Sequence, residues 1–298
     1  MRLHTTTPRA GFFTLAALAT LGLAACSKPE PPTIGFAPYD KDYATKMNLA
    51  QIEYKYPIPA SELAKITPDY LAKLDQEQLD QIYARLPAGP IPDGAFEGRI
   101  LLPRGESGKF RLSEIVGGFT GLGLHLKGLL IEDVGEALWR GKVFFRDERV
   151  LRNRIEDLSI LKKMGLVEGE PKKMQYGGKE TWLLFPAKLY CGQSLLDARR
   201  ESIIIDYFFT DEIPGYQESP DFLAGRRGLK VRDEIRMIRP GLYLGRAYLD
   251  RAFGLNFTLY DKATDDKARD EFVKTGKVQE DCWPGTQVRV AAAPAAKS

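Results

Sequence analysis

Residues Lys230–Asp261 read KVRDEIRMIRPGLYLGRAYLDRAFGLNFTLYD, and this run decides the fold. Arg239-Pro240-Gly241-Leu242 is a turn: proline presets φ at its second position and glycine supplies a positive φ at its third. Strand-like residues flank it on both sides. A second turn near Arg251 to Gly254 leads into Leu255 to Tyr260, where apolar and polar residues alternate with period two. Three successive antiparallel strands of this kind make a meander.

Similar strands lie upstream. Glu201 to Thr210 is almost continuously apolar. Before it, Thr181 to Phe185 and Ala187 to Cys191 are separated by Pro186. Lys142 to Phe145 and Val150 to Ile155 form a hairpin about Arg146–Arg149, and Ala95 to Leu102 supplies another strand. Short turns and few parallel crossovers predict a mainly β fold, an antiparallel barrel or strongly curved sheet of about eight strands over residues 91–262. A helical arm precedes it at 41–90. There Thr67 and Pro68 start one helix and Asp75 with Gln78 forms a capping box for another. This arm either recruits a partner or packs on the domain's own sheet. A glycine-rich helix is expected at 113–140, serving as a lid, a membrane-dipping segment or a buried packing element. Residues 161–180 and 211–229 read as loops, and 263–298 as a charged, finally low-complexity tail.

The net charge of +3 includes Arg2 and Arg9 of an N-terminal leader, so the chain from Cys26 onward is near +1 (3 − 2). That balance excludes nucleic acid as an expected partner. Histidine occurs twice, at His4 and His125, and the three cysteines form no Cys-x-x-Cys pair. A multi-histidine metal centre or histidine-based triad lacks the residues it needs. No cofactor, metal or catalytic residue is expected, and enzymatic activity is left open.

Gly94-Ala95-Phe96-Glu97-Gly98 resembles the Gly-x-Trp-x-Gly opening of lipocalin-like barrels, with phenylalanine for tryptophan. Leu138-Trp139-x-Gly141-Lys142, Asp206-Tyr207, Arg232-Asp233-Glu234 and Pro240 to Gly245 resemble bacterial proteins of the same kind. The resemblance implies a barrel able to enclose an apolar ligand. Polar residues on the predicted strands are the candidate ligand-binding set: Asp206, Tyr207, Arg232, Glu234, Arg236, Tyr243 and Arg246. On one reading the arginines face an anionic head group and the tyrosines donate hydrogen bonds to it. On the other, these charges are cross-strand ion pairs that set register, worth roughly 0.2–1 kcal/mol each. Binding of a hydrophobic or amphipathic molecule therefore stands beside an interaction protein with an envelope partner. A third reading is an enzyme using Asp206 with Asp233 or Glu234 as acid and base.

Leu23-Ala24-Ala25-Cys26 follows a basic, then uncharged, leader and resembles the bacterial lipobox. The resemblance implies a signal peptide at 1–25, cleavage before Cys26, and lipid attachment to its thiol and new amino terminus. Residues 26–40 then read as a tether. Ser27, rather than aspartate, favours the outer membrane, with the folded domain facing the periplasm. In that oxidising compartment Cys191 and Cys282 are expected to form a disulfide, the alternative being two thiols too far apart to bond. Fatty-acid labelling of the expressed protein should depend on Cys26, and equal labelling of Cys26→Ser would remove the lipoprotein assignment.

Overall fold

The computed structural model describes residues 30–39, 48–105, 139–163 and 165–285. The leader, Cys26 to Pro29 and Asp40 of the tether, the expected helix with His125 up to residue 138, and the end of the tail lie outside them. Nine strands follow in order: β1 (Gly94–Leu101), β2 (Trp139–Phe145), β3 (Val150–Ile155), β4 (Met174–Tyr176), β5 (Lys179–Gln193), β6 (Glu201–Asp206), β7 (Val231–Arg239), β8 (Leu242–Leu249) and β9 (Ala252–Tyr260). All of their pairings are antiparallel. β9 returns to β1, and β3 pairs with β5, so eight strands close into a lipocalin-like barrel. β4 is the extra strand, a hairpin partner at the start of β5. Closure removes the free edges that an open sheet would expose.

The Pro240–Gly241 turn joins β7 to β8. Gly241 has φ +78°, and a Cβ there would stand 2.5 Å from the carbonyl oxygen of Asp261, so the position needs glycine twice over. Pro186 does not split β5. Phe185 takes φ +51° beside it, and the register against β3 shifts there, which lets a proline sit within a continuous strand.

Strand alternation sorts the side chains into two cores. Phe96, Phe144, Leu151, Ile205, Ile235 and Phe257 point inward and meet in the barrel. Ile238, Leu242 and Leu244 point outward, into a second core with the N-terminal arm. The arm comprises α1 (Leu49–Lys55), α2 (Ala60–Leu63), α3 (Pro68–Leu71) and α4 (Gln76–Ala84). Thr67 caps α3, and Asp75 with Gln78 boxes the start of α4. Leu79, Ile82, Tyr83 and Leu86 pack into that outer core, so the arm is covered by the protein's own sheet. Two short helices, α5 (Ser159–Lys163) and α6 (Glu218–Asp221), lie in the long loops after β3 and β6.

Residues 262–275, expected within a tail, form a helix instead, α7 (Lys262–Thr275). Its signal is capping, not periodicity: Asp261 accepts from the amides of Ala263 and Thr264, and Gly276 ends it at φ +63°. Its few apolar residues hid it, since only Phe272 reaches the outer core. The chain then crosses one end of the barrel, where Cys282 is disulfide-bonded to Cys191 of β5 with 5.4 Å between Cα atoms. Asp281 accepts from the amide of Ile91 at 2.8 Å, which ties this segment to the residues leading into β1.

Asp265 of α7 fastens the helix to the barrel. Arg239 bonds both its oxygens, at 2.9 and 3.1 Å, and Arg269 and Tyr260 add further donors. Burial opposes its ionisation, but the bonds from Arg269 and Arg239 outweigh it and hold the pKa at about 2. A carboxylate with a depressed folded pKa stabilises above its unfolded value and loses that contribution as pH falls through the folded one. Because it also leaves the buried Arg239 without its counter-charge, Asp265→Asn should cost about 3–5 kcal/mol at neutral pH. It should also flatten the acid limb of the stability curve between about pH 4 and 2, as read by urea unfolding at stepped pH. An acid limb that keeps its slope would remove Asp265 as its source.

Candidate functional site

Lys142 lies on β2 and Asp233 on β7, with three strands between them in either direction round the ring. Their side chains span the lumen and meet, with Lys142 Nζ 3.0 Å from Asp233 Oδ2; they are 4% and 5% exposed. Parity places them there: Lys142 is two residues from inward Phe144, and Asp233 two from inward Ile235. Lys142 also donates to the hydroxyl of Tyr207 at 2.6 Å and to Asn153 Oδ1 at 2.9 Å. Asn153 donates to Tyr207 and to the Phe185 carbonyl, and Trp139 Nε1 donates to Asn153. The ammonium sits 5.2–5.3 Å from the ring centres of Trp139, Tyr207 and Phe257.

Two glycines let the rings in. Trp139 lies over Gly98, and Phe257 over Gly245, each closely enough that a Cβ on the glycine would strike the ring. The group thus forms a polar crossbar held by aromatic rings. On one side of it the barrel is filled by inward side chains such as Ile203, Ile205 and Met237. On the other opens a cavity of about 630 Å³. Ile155, Leu161, Phe185, Phe222, Leu223 and Val231 contribute apolar walls, and Arg227 stands among the lining residues.

Burial lowers the pKa of Lys142, with Asp233 opposing the shift. Burial raises that of Asp233, with Lys142 opposing it. Tyr207 is pushed up by burial and then by the nearby Asp233 charge, so it stays a neutral phenol. Among the described residues Asp233 Oδ1 has no hydrogen-bond partner.

The residues expected to bind ligand fall on different sides of the wall. Tyr207 joins the crossbar. Tyr243 points inward at the filled end and donates to the Pro90 carbonyl at 2.6 Å. Arg232, Glu234, Arg236 and Arg246 alternate with the inward residues of β7 and β8 and point out of the barrel. Arg236 bonds Ser202 and the carbonyls of Tyr83, Asp197 and Arg200. Arg246 bonds Asp80 of α4 and Tyr248, and lies 3.9 Å from Glu234. Glu234 also takes Arg232 at 3.0 Å and Ser194 at 2.7 Å. These groups form an ionic layer between barrel and cover, satisfied by protein and not facing the lumen. Asp206 points outward too, accepting from Tyr190 at 2.7 Å and from the Phe208 amide. Asp206 and Glu234 therefore do not converge with Asp233. Lys142, Asn153 and Trp139 were absent from the expected set; the shared parity of Lys142 and Phe144 is the signal that finds the lysine.

Compared with known proteins, the chain matches no family model, no curated protein and no solved structure.

Removing one partner of a buried pair strands the other charge, at a cost of about 3–5 kcal/mol. Lys142→Met should lower unfolding stability by an amount of that order. Lys142→Met/Asp233→Leu should recover much of the loss, because no charge is then left unpaired. Urea unfolding of the three proteins checks this; a double variant no more stable than Lys142→Met would mean the two side chains are not coupled.

Proposed function

We propose that this protein is a lipid-anchored envelope protein whose barrel holds a hydrophobic or amphipathic small molecule. The observation that carries the reading is the apolar cavity of about 630 Å³ above the crossbar. Ligand sites typically measure roughly 300–1,000 Å³, with apolar walls and a few placed polar groups. The wall supplies the apolar part and Lys142, Asn153, Tyr207 and Asp233 the polar part. The anchor rests on Leu23-Ala24-Ala25-Cys26, and the outer-membrane, periplasm-facing placement on Ser27. A carrier tethered in this way takes its cargo at the cavity and not through the arginines of β7 and β8, which Glu234, Asp197, Asp265 and Asp80 already pair. Acid–base catalysis by paired carboxylates gains no support from this arrangement, because Asp233 stands in the lumen apart from Asp206, while Glu234, on the same outer face as Asp206, is taken up by Arg232, Arg246 and Ser194.

Soluble protein beginning after Cys26 should retain an amphipathic molecule through gentle purification, seen by native mass spectrometry and identified after lipid extraction. Ala224 borders the cavity. Ala224→Phe, once shown to melt normally, should lower occupancy severalfold. Empty wild-type protein that also ignores phospholipids, fatty acids and quinones would shift the reading to an interaction protein.

A further inference from the structure

We infer that the cavity selects a ligand whose polar head donates a hydrogen bond and carries no negative charge, such as a long-chain alcohol or amine. This rests on the ligand-binding reading above and names the class of head group. The argument is a count of donors and acceptors on the crossbar. An ammonium has three N–H groups, and those of Lys142 have three acceptors: Asp233 Oδ2, Tyr207 Oη and Asn153 Oδ1. Both N–H groups of Asn153 are engaged, by Phe185 and Tyr207. Trp139 Nε1 is engaged by Asn153. The Tyr207 hydroxyl has Asp233 Oδ2 and Asn153 Oδ1 in reach, at 3.3 and 3.4 Å. Every donor of the crossbar is thus already occupied.

One acceptor is not. Asp233 Oδ1 is buried and, among the described residues, without a partner. A buried polar atom left unbonded carries a desolvation penalty that a matching group removes. A ligand N–H or O–H removes it. A carboxylate head brings only acceptors, finds no free donor on the crossbar, and sets a second negative charge beside Asp233. The crossbar cation is no attraction for it either, being neutralised by Asp233. Arg227 at the lining could draw an acid head away from the crossbar, but it is paired with Glu218 at 2.6 Å.

The test compares four ligands of one chain length: decan-1-ol, decylamine, decanoate and methyl decanoate. Binding to the soluble wild-type protein is measured by calorimetry at neutral pH, beside Asp233→Asn. The alcohol and amine should bind at least several times more tightly than the ester, with decanoate weakest. In Asp233→Asn the preference for the alcohol and amine over the ester should be lost and decanoate should gain, because the acceptor is removed and Lys142 is left without its counter-charge. Decanoate binding tightest in the wild type, or an unchanged ranking in Asp233→Asn, would overturn the inference and leave the cavity a ligand site of another preference. If the ester also fails to bind, the ligand-binding reading falls, and this inference with it. The wild-type ranking decides the question by itself should the variant not fold.

Discussion

Two adjacent acids, Asp233 and Glu234, sit on opposite faces of one strand, and each has its own cation. A strand turns successive side chains to opposite sides, so no rotation of β7 could bring both to one place. Asp233 meets Lys142 across the lumen, while Glu234 meets Arg232 and Arg246 outside it. A one-residue slip of β7 would exchange the two acids and leave both sets of cations facing the wrong side. The apolar side chains give the same answer, with Ile235 and Met237 inward and Ile238 outward beyond the bulge after Met237. Charge and hydrophobicity together fix the register on which the cavity depends.

The outer ionic layer also explains why the barrel needs its arm. Arg246 and Arg236 are almost wholly buried, and exposure to water is not what solvates them. Asp80, Gln76 and Tyr83 of α4 supply the hydrogen bonds water would have made, directly or through Ser202 and Asn256. Burial works against the charge on Arg246, and the surrounding Asp80, Tyr248 and Glu234 more than restore it. The arm and the sheet are therefore matched by polarity as well as by the apolar contacts of Leu79 and Ile82 with Leu242 and Leu244.

This double covering sets the limit of what the sequence discloses. The strands were legible because each carries its own turn or breaker: Pro240–Gly241 between β7 and β8, and Arg146–Arg149 between β2 and β3. The grouping of Asp233 with Val231, Ile235 and Met237 was legible too, as simple alternation. Which group faces the lumen was not. An exposed outer face would be polar and would label itself, but here both faces are buried and both carry charge. Arg232, Glu234 and Arg236 look like a polar floor only until α4 meets Arg236 and the segment from Gln193 to Leu195 takes up Arg232 and Glu234. Lys142 was hidden for the opposite reason: a lysine at the start of an apolar strand reads as its solvated end. Its partner lies 91 residues away, across the barrel, where no local pattern reaches. The helix α7 was missed because capping and a single apolar anchor, Phe272, hold it, not a repeating stripe.

The crossbar's position bears on its purpose. A buried ion pair is a weak source of stability, since desolvation of two charges offsets most of their attraction, and apolar residues of similar volume often do as well. The filled half of the barrel shows that alternative in use, with Ile203, Ile205, Ile235 and Met237 packed without charge. Lys142 and Asp233 instead lie where that packing stops and the cavity begins. Beyond the packed half, the segment containing Cys282 joins the barrel core and is tied to β5, so the polar boundary faces the cavity end alone. Pure core packing would place polarity anywhere or nowhere. The lumen's buried ion pair lies instead at the cavity boundary, with Asp233 Oδ1 unmatched, which is what a surface built to meet a polar head group requires.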